Sequence, residues 1–429
     1  MNTVQLKSAL ASIVACLCGV VLVGSISAQG ISLRGIGSVN EGMGGAGTGL
    51  PLSAAGAIHW NPASIAEFRK HQIEMGLGLV YADSRVSSTM PFMSGSSRAD
   101  SGVAPLPVMA MVLKHDNPRL TTGIGVYAIA GFQLNYRASQ TNPIHMSQGA
   151  LGGLPTLGRV HTQAEFFQIA PTVACALNDC WSIGLAPTVT IARLGIEPLF
   201  AAANTGSGYP VGSGSRYVFG GGGQIGLYYK PNQRLSAGLT VKSRQFFEDR
   251  NTFKFFAQDN APPFVPVEAE TRFEYPTIVS LGMGYRVNAC TQLAADIRYF
   301  DYGQAEGFGT AGFNPDGSVA GLGWSSVMAV ALGASHQVNR KLTLRCGYVW
   351  NDSPISNDNL LINSAAPLIL KNVATVGLGL RVHPRMTVNT AYLQAFDTAQ
   401  SGPYLGIPGT DITTRLAAYI LSTGVTVDF

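Results

Sequence analysis

Charge is what this chain has least of. Asp, Glu, Lys and Arg make up 12% of its 429 residues, against ~25% in an ordinary globular protein, while hydrophobic residues reach 46%. The formal net charge is only +4, and the basic residues are scattered rather than clustered, which excludes the electrostatic footprint of a nucleic-acid partner. Cysteine is also sparse: of six, Cys16 and Cys18 fall in an N-terminal leader, leaving Cys175, Cys180, Cys290 and Cys346. No pair has zinc-finger spacing. The seven histidines, His59, His71, His115, His145, His161, His336 and His383, show no metal-ligand spacing, and no Ser-centred nucleophile elbow is present. Gly42-Met43-Gly44-Gly45-Ala46-Gly47 fits G-x-G-x-x-G, yet no strand precedes it and no helical pattern follows, so a nucleotide site is not expected. The expectation is a protein with no metal, no cofactor and no enzymatic activity. Beyond residue 28 no ~18-residue apolar run occurs, so a membrane-spanning mature chain must cross as strands.

What is present begins at the two ends. Residues 1–28 carry Lys7, an apolar and weakly polar run from Ala9 to Ile26, and Ser27-Ala28, which reads as a signal peptide cut near Ala28. A transmembrane anchor and lipoprotein processing at Cys16 are the alternatives; the apolar run continuing well past Cys16 favours simple cleavage. At the other end, Ala417, Tyr419, Leu421, Thr423, Val425, Val427 and the final Phe429 alternate with Ile420, Ser422, Gly424, Thr426 and Asp428. A terminal alternating strand closed by an aromatic is typical of outer-membrane barrels.

From His71 onward, alternating runs are separated in turn by tight polar turns and longer connections. The tight turns lie at 115–118, 177–179, 230–233, 287–289, 338–340 and 382–385, each with the Asn, Asp or Pro chemistry of a hairpin. The long connections lie near 84–102, 133–162, 196–215, 249–270, 303–321, 351–368 and 397–412. Turns and connections together imply an all-β fold, a transmembrane antiparallel β-barrel of about 14 strands with both termini on the short-turn side. In 276–286, Thr277, Val279, Leu281, Met283 and Tyr285 should face lipid, with Ser280, Gly282, Gly284 and Arg286 facing the lumen. The same split places Val376, Leu378, Leu380 and Cys346 outward. A soluble sandwich or propeller would also alternate. Low charge, the leader and aromatics near strand ends (Trp181, Tyr228, Tyr229, Tyr299, Tyr348, Trp350 and Tyr392) favour the barrel. Cys175 and Cys180 flank one turn, so a local bridge is conceivable, although alternation sends them to opposite faces.

Two sets of residues stand out as candidate binding groups. Lys242, Arg244, Arg298, Arg345 and Arg381 fall on lumen-facing positions, with Asp296 among them. They either hold a carboxylate or simply pair with barrel acids and water. Two long connections are unexpectedly apolar, with Leu199 and Phe200 in one and Phe253, Phe255, Phe256 and Phe264 in the other. They either pack on each other or form an apolar docking groove.

Asn61-Pro62-Ala63, after a Gly- and Ala-rich stretch, resembles the N-P-A motif of the FadL-type long-chain fatty acid and hydrocarbon transporters of the outer membrane (OmpP1/FadL/TodX-like). Gly123–Ala128 with Gly131-Phe132-Gln133-Leu134-Asn135-Tyr136 is similar to the third strand of that family. Pro276–Gly282 and Leu342–Tyr348, ending in Asn351–Ile355, are similar to further family signatures in the same order. The resemblance departs where Ile129-Ala130-Gly131-Phe132 stands for Pro-Phe-Gly, and where Asn359–Asn363 replaces an acidic continuation. It implies a division into signal peptide (1–28), N-terminal periplasmic hatch (29–68) and barrel (69–429). It further implies docking of substrate on an extracellular apolar groove, passage to an internal site, and lateral exit at a third-strand gap marked by Gly123, Gly125, Gly131 and Phe132. On this reading Asn61 and Pro62 couple the hatch to that gap. The expected function is passive uptake of hydrophobic small molecules, fatty acids first and aromatic or alkane hydrocarbons second. A general diffusion porin and a structural or adhesive surface barrel are the rivals. The expected surroundings are outer-membrane lipids, lipopolysaccharide and the barrel assembly machinery.

Overall fold

The computed structural model describes residues 29–152, 155–204, 208–259, 262–404 and 407–429. The expected signal peptide lies outside the described residues. Alternation of apolar and small polar residues builds antiparallel strands that hydrogen-bond in chain order, and the last pairs with the first from Gln72↔Asp428 to Thr89↔Asp411. Closure removes the free edges that lipid would not tolerate. The barrel strands are Gln72–Met90, Val103–Lys114, Leu120–Tyr136, Val160–Ala176, Trp181–Glu197, Val218–Tyr229, Leu235–Lys242, Ile278–Arg286, Thr291–Phe300, Val327–Gln337, Leu342–Asn351, Asn372–His383, Met386–Gly402 and Asp411–Asp428. They are numbered here from first to fourteenth.

The tight turns fall where the Asn and Pro signals put them, all at the end that holds the start of the first strand and the end of the fourteenth. Outward residues such as Leu281 and Val376 are 55% and 57% exposed, while their inward neighbours Ser280 and Thr375 are buried. Phe429 stacks on His71 at 5.1 Å, tying the C-terminus to the chain just before the first strand. Cys175, Cys180, Cys290 and Cys346 form no disulfide among the described residues.

Three expectations are corrected. The connection expected at 84–102 is largely strand, because Arg85–Met90 pairs with Met93–Arg98 as a ribbon continuing the first strand. Likewise, the stretch 249–270 contains a second ribbon, Thr252–Gln258 on Pro266–Arg272. In both, period-two alternation continues in sequence polar or aromatic enough to resemble a loop. Tyr228, expected among the outer aromatics, is buried. Tyr229 is the outward partner, stacked on Trp181 at 4.3 Å.

Residues 29–68 fill the lumen. They form two short helices, Gly37–Glu41 and Ala54–Trp60, and a 3-10 turn, Pro62–Glu67. Both helices are buried throughout. Glycines in the wall admit this segment. A Cβ on Gly347 would lie 2.2 Å from the Gly44 nitrogen, and one on Gly184 would lie 2.3 Å from the Ala63 nitrogen. The wall also supplies hydrogen-bond acceptors for the orphan amides at the start of the second helix. Gln72 Oε1 takes the amide of Ala54 and Glu74 Oε2 that of Ala55, each at 2.8 Å.

Candidate functional site

The third strand is irregular where the wall matters most. Its register against the fourth shifts between Ala128↔Phe167 and Ala130↔Phe166, leaving Ile129 as the extra residue of a bulge. Below the bulge the third strand pairs with the second from Lys114↔Thr121 to Val108↔Tyr127. Above it, Ala128–Tyr136 pairs only with the fourth strand, and Val103–Pro107 only with the first. The result is a window between the second and third strands, bounded above by the Asp100 amide donating to the Asn135 carbonyl at 2.7 Å. Unpaired backbone in a membrane wall demands other partners. The N-terminal segment supplies one, since the Leu33 amide donates to the Ile129 carbonyl at 2.9 Å and Ser32 bridges Ala130.

A cavity of about 290 Å³ stands behind the window, lined by Ile31, Leu106, Ala130, Phe132, Leu134 and Leu416 among others. It reaches Val103, Glu165 and Phe167, whose strand positions alternate with inward Leu106, Ala164 and Phe166, so it extends through the wall to its outer face. A second cavity, about 110 Å³, is walled by Phe200, Phe273, Phe308, Leu322, Trp324 and Ile362 and carries no charged side chain. Ile31, Phe132, Gln163 and Ala164 line both. The two spaces are therefore neighbours across a thin partition of which Phe132 is the largest member.

The residues singled out in the sequence divide between these features. Gly131 and Phe132 line the window cavity. Gly123 and Gly125 do not; they lie in the paired lower part, and their bare Cα positions make room for Ile58 of the second helix. Asn61 is fully buried, and its side chain donates to the carbonyls of Thr48 (3.0 Å) and Leu227 (3.1 Å) and accepts from the Ala63 amide (3.0 Å). Leu227 belongs to the sixth strand, so Asn61 fixes the segment to the wall away from the window, and Ser32 and Leu33 make the third-strand contact instead. Pro62 and Ala63 open the 3-10 turn that Asn61 caps.

Of the apolar candidates, Phe200 lines the smaller cavity. Leu199 is buried, and Phe253 and Phe255 are buried on the inner face of the second ribbon, where Phe253 meets Phe247 and Phe273. Phe256 and Phe264 are on the outside, 42% and 49% exposed. Alternation within a ribbon, unrecognised in the sequence, separates them. The cavity's own aromatics, Phe273, Phe308 and Trp324, went unnoticed because they lie far apart in two connections, Phe273 before the eighth strand and Phe308 and Trp324 after the ninth, and only the fold gathers them.

The basic candidates are mostly occupied. Arg298 and Asp296 form a fully buried ion pair at 2.8 Å. The Arg298 guanidinium lies 3.3 Å from the Trp60 ring centre and donates to the Gly45 carbonyl. Lys242 Nζ is 3.2 and 3.3 Å from the ring nitrogens of His59 and 4.7 Å from the Trp60 ring centre. Burial first, and the cations Lys242 and Arg298 next, hold the His59 imidazole well below its ordinary range, so it is neutral. The pocket beside Lys242 measures about 10 Å³, at most enough for one water molecule. Arg244 pairs with Glu274 at 3.2 Å, and Arg345 donates to Asn389 Oδ1 at 3.2 Å. Arg381 is exposed at the strand end. None of the five lines either apolar cavity.

The architecture is thus a closed fourteen-stranded barrel with residues 29–68 in its lumen, a window in its wall and apolar cavities behind it. The chain belongs to the family described as outer membrane protein transport protein (OMPP1/FadL/TodX), whose pattern matches residues 19–429. It is therefore an outer-membrane transport protein. Solved structures with the same fold include a Pseudomonas aeruginosa FadL homologue at 17% identity and TM-score 0.69, covering 93% of this chain and 100% of that one. The Pseudomonas putida toluene transporter TodX is similar at 16% identity and TM-score 0.69, over 94% and 100%. The Ralstonia pickettii toluene transporter TbuX is similar at 15% and 0.67, over 92% and 99%. No curated protein matches the chain.

Proposed function

We propose that this protein takes up hydrophobic molecules passively across the outer membrane, long-chain fatty acids and aromatic or alkane hydrocarbons being the substrate class. The observation that carries the reading is the third-strand window with an apolar cavity behind it. Substrate enters the aromatic cavity under the extracellular connections, passes Phe132 into the window cavity, and leaves sideways between the second and third strands. The sideways route keeps an alkyl chain out of water, where exposure costs ~0.8 kcal/mol per CH₂. The window cavity, about 290 Å³, is roughly twice the ~150 Å³ void that admits benzene. Toluene, named for two structural relatives, is a molecule of this class. Residues 29–68 act as a hatch that bars aqueous leakage, which argues against a diffusion porin. The outer surface meets outer-membrane lipids and lipopolysaccharide, and insertion relies on the barrel assembly machinery.

Uptake of labelled oleate and labelled toluene by cells lacking their own hydrophobic transporter tests the reading. Expression of this chain raises uptake of at least one probe, and the purified protein passes little current in planar bilayers. No uptake of either by folded protein, or large steady currents, overturns it.

A further inference from the structure

Among the described basic residues only Arg34 lines the window cavity. It has no acid within ion-pair distance among the described residues, and its Nε is buried without a hydrogen-bond partner. Lys242, Arg244, Arg298 and Arg345 each have an acid, an amide, an aromatic ring or the His59 nitrogens against them, and Arg381 is exposed at its strand end. The backbone of Arg34 is fixed in place, because its carbonyl accepts from Arg298 at 3.3 Å. The rest of the cavity lining is mostly apolar, with Leu106, Phe132, Leu134, Leu370, Leu393 and Leu416 among it, and its polar members besides Glu165 are neutral: Ser32, Ser101, Gln133 and Gln163. The one acid lining this cavity, Glu165, stands on the outward face of the fourth strand. It is held there by Gln163 Nε2 at 2.6 Å and by the Tyr217 hydroxyl at 3.4 Å.

An uncompensated guanidinium in an apolar chamber is a costly arrangement unless something anionic visits it. A guanidinium can hold a carboxylate through two parallel hydrogen bonds, and the apolar walls suit a tail. We propose that Arg34 is a headgroup-selecting residue of the window cavity, holding the carboxylate of an amphiphilic substrate whose apolar tail lies along the cavity wall. This rests on the uptake reading and divides its substrate class. A neutral hydrocarbon finds no polar anchor on the route. An alkyl carboxylate crosses the uncharged outer cavity and gains its counter-ion only at the window, beside the exit. Arg34 was not visible as a candidate in the sequence, because it lies in the N-terminal segment rather than on a strand whose period assigns a face.

The test compares oleate with its neutral analogue oleyl alcohol, binding to the purified full chain in lipid nanodiscs. The wild type binds oleate more tightly than the alcohol, and in Arg34→Met that preference falls by about tenfold, the size of one lost charge-assisted contact. Arg34→Lys, which keeps the charge, retains most of the preference. Equal affinity of the wild type for both probes overturns the assignment. So does parallel weakening of both in Arg34→Met, which would mark a structural role. Toluene uptake by wild-type cells, measured separately, reports on the uptake reading itself. Toluene uptake without oleate preference leaves that reading standing and removes Arg34 from it.

Discussion

Thr48 gives two hydrogen bonds to a single carboxylate oxygen of Asp296, one from its amide at 3.0 Å and one from its hydroxyl at 2.9 Å. The Gly47 amide adds a third at 2.9 Å, and Arg298 pairs with the same oxygen at 2.8 Å. One buried acid on the ninth strand thus gathers the middle of the N-terminal segment and neutralises the cation stacked on Trp60. Asp296→Asn removes that charge and leaves a buried guanidinium uncompensated, a loss of about 3–5 kcal/mol for a broken buried pair. The expected outcome is a barrel that still assembles but whose N-terminal segment unseats, seen as new current steps in planar bilayers. Current indistinguishable from wild type would show that Asp296 does not hold the segment.

Asn61→Ala deletes three hydrogen bonds inside the wall, each with a net value of about 1 kcal/mol, and slows uptake without preventing barrel assembly. Because Asn61 bonds the sixth strand, the variant perturbs the window only at second hand. Leu33→Pro removes the amide that serves Ile129 and is expected to change uptake more. Initial rates for both variants, at matched surface levels, check the order. The reverse order would restore Asn61 as the direct link to the third strand.

Glu41 gives the segment a pH dependence. Burial raises its carboxyl from 4.5 to about 7, the nearby Ser422 hydroxyl opposes the rise, and Glu74 adds to it. The folded value lies above the unfolded one of ~4.3, so the folded state keeps the proton longer. Its contribution to stability is complete below about 4.3 and is lost as pH rises to about 7. The wild-type melting temperature should therefore fall across this window more than that of Glu41→Gln. Parallel profiles of the two proteins would remove Glu41 as the cause.

The barrel was legible because lipid enforces a period of two: Leu281 against Ser280 and Val376 against Thr375 read as outward and inward from spacing alone. The turns were legible from Asn and Pro. Elsewhere two faces of one short strand looked like a loop, as with Phe253 and Phe255 against Phe256. The site was less legible. Its aromatics, Phe273, Phe308 and Trp324, are spread over two connections with no local signature. Ile129 has no sequence mark as a bulge, since an inserted residue is visible only against its partner strand. Among the basic residues, the period placed Lys242 and Arg298 inside correctly but could not tell that the N-terminal segment already occupies them.

Deleting Ile129 tests the central claim most directly. Without the extra residue the third strand regains an unbroken register with the fourth, and Ala130–Tyr136 can close on Val103–Pro107 through the amides and carbonyls that remain there, Pro105 and Pro107 supplying carbonyls alone. The account predicts that uptake of oleate and toluene then falls to the level of cells without the protein, although the deletion variant folds and reaches the outer membrane. Wild-type uptake by that folded variant would contradict a lateral route and place the exit elsewhere.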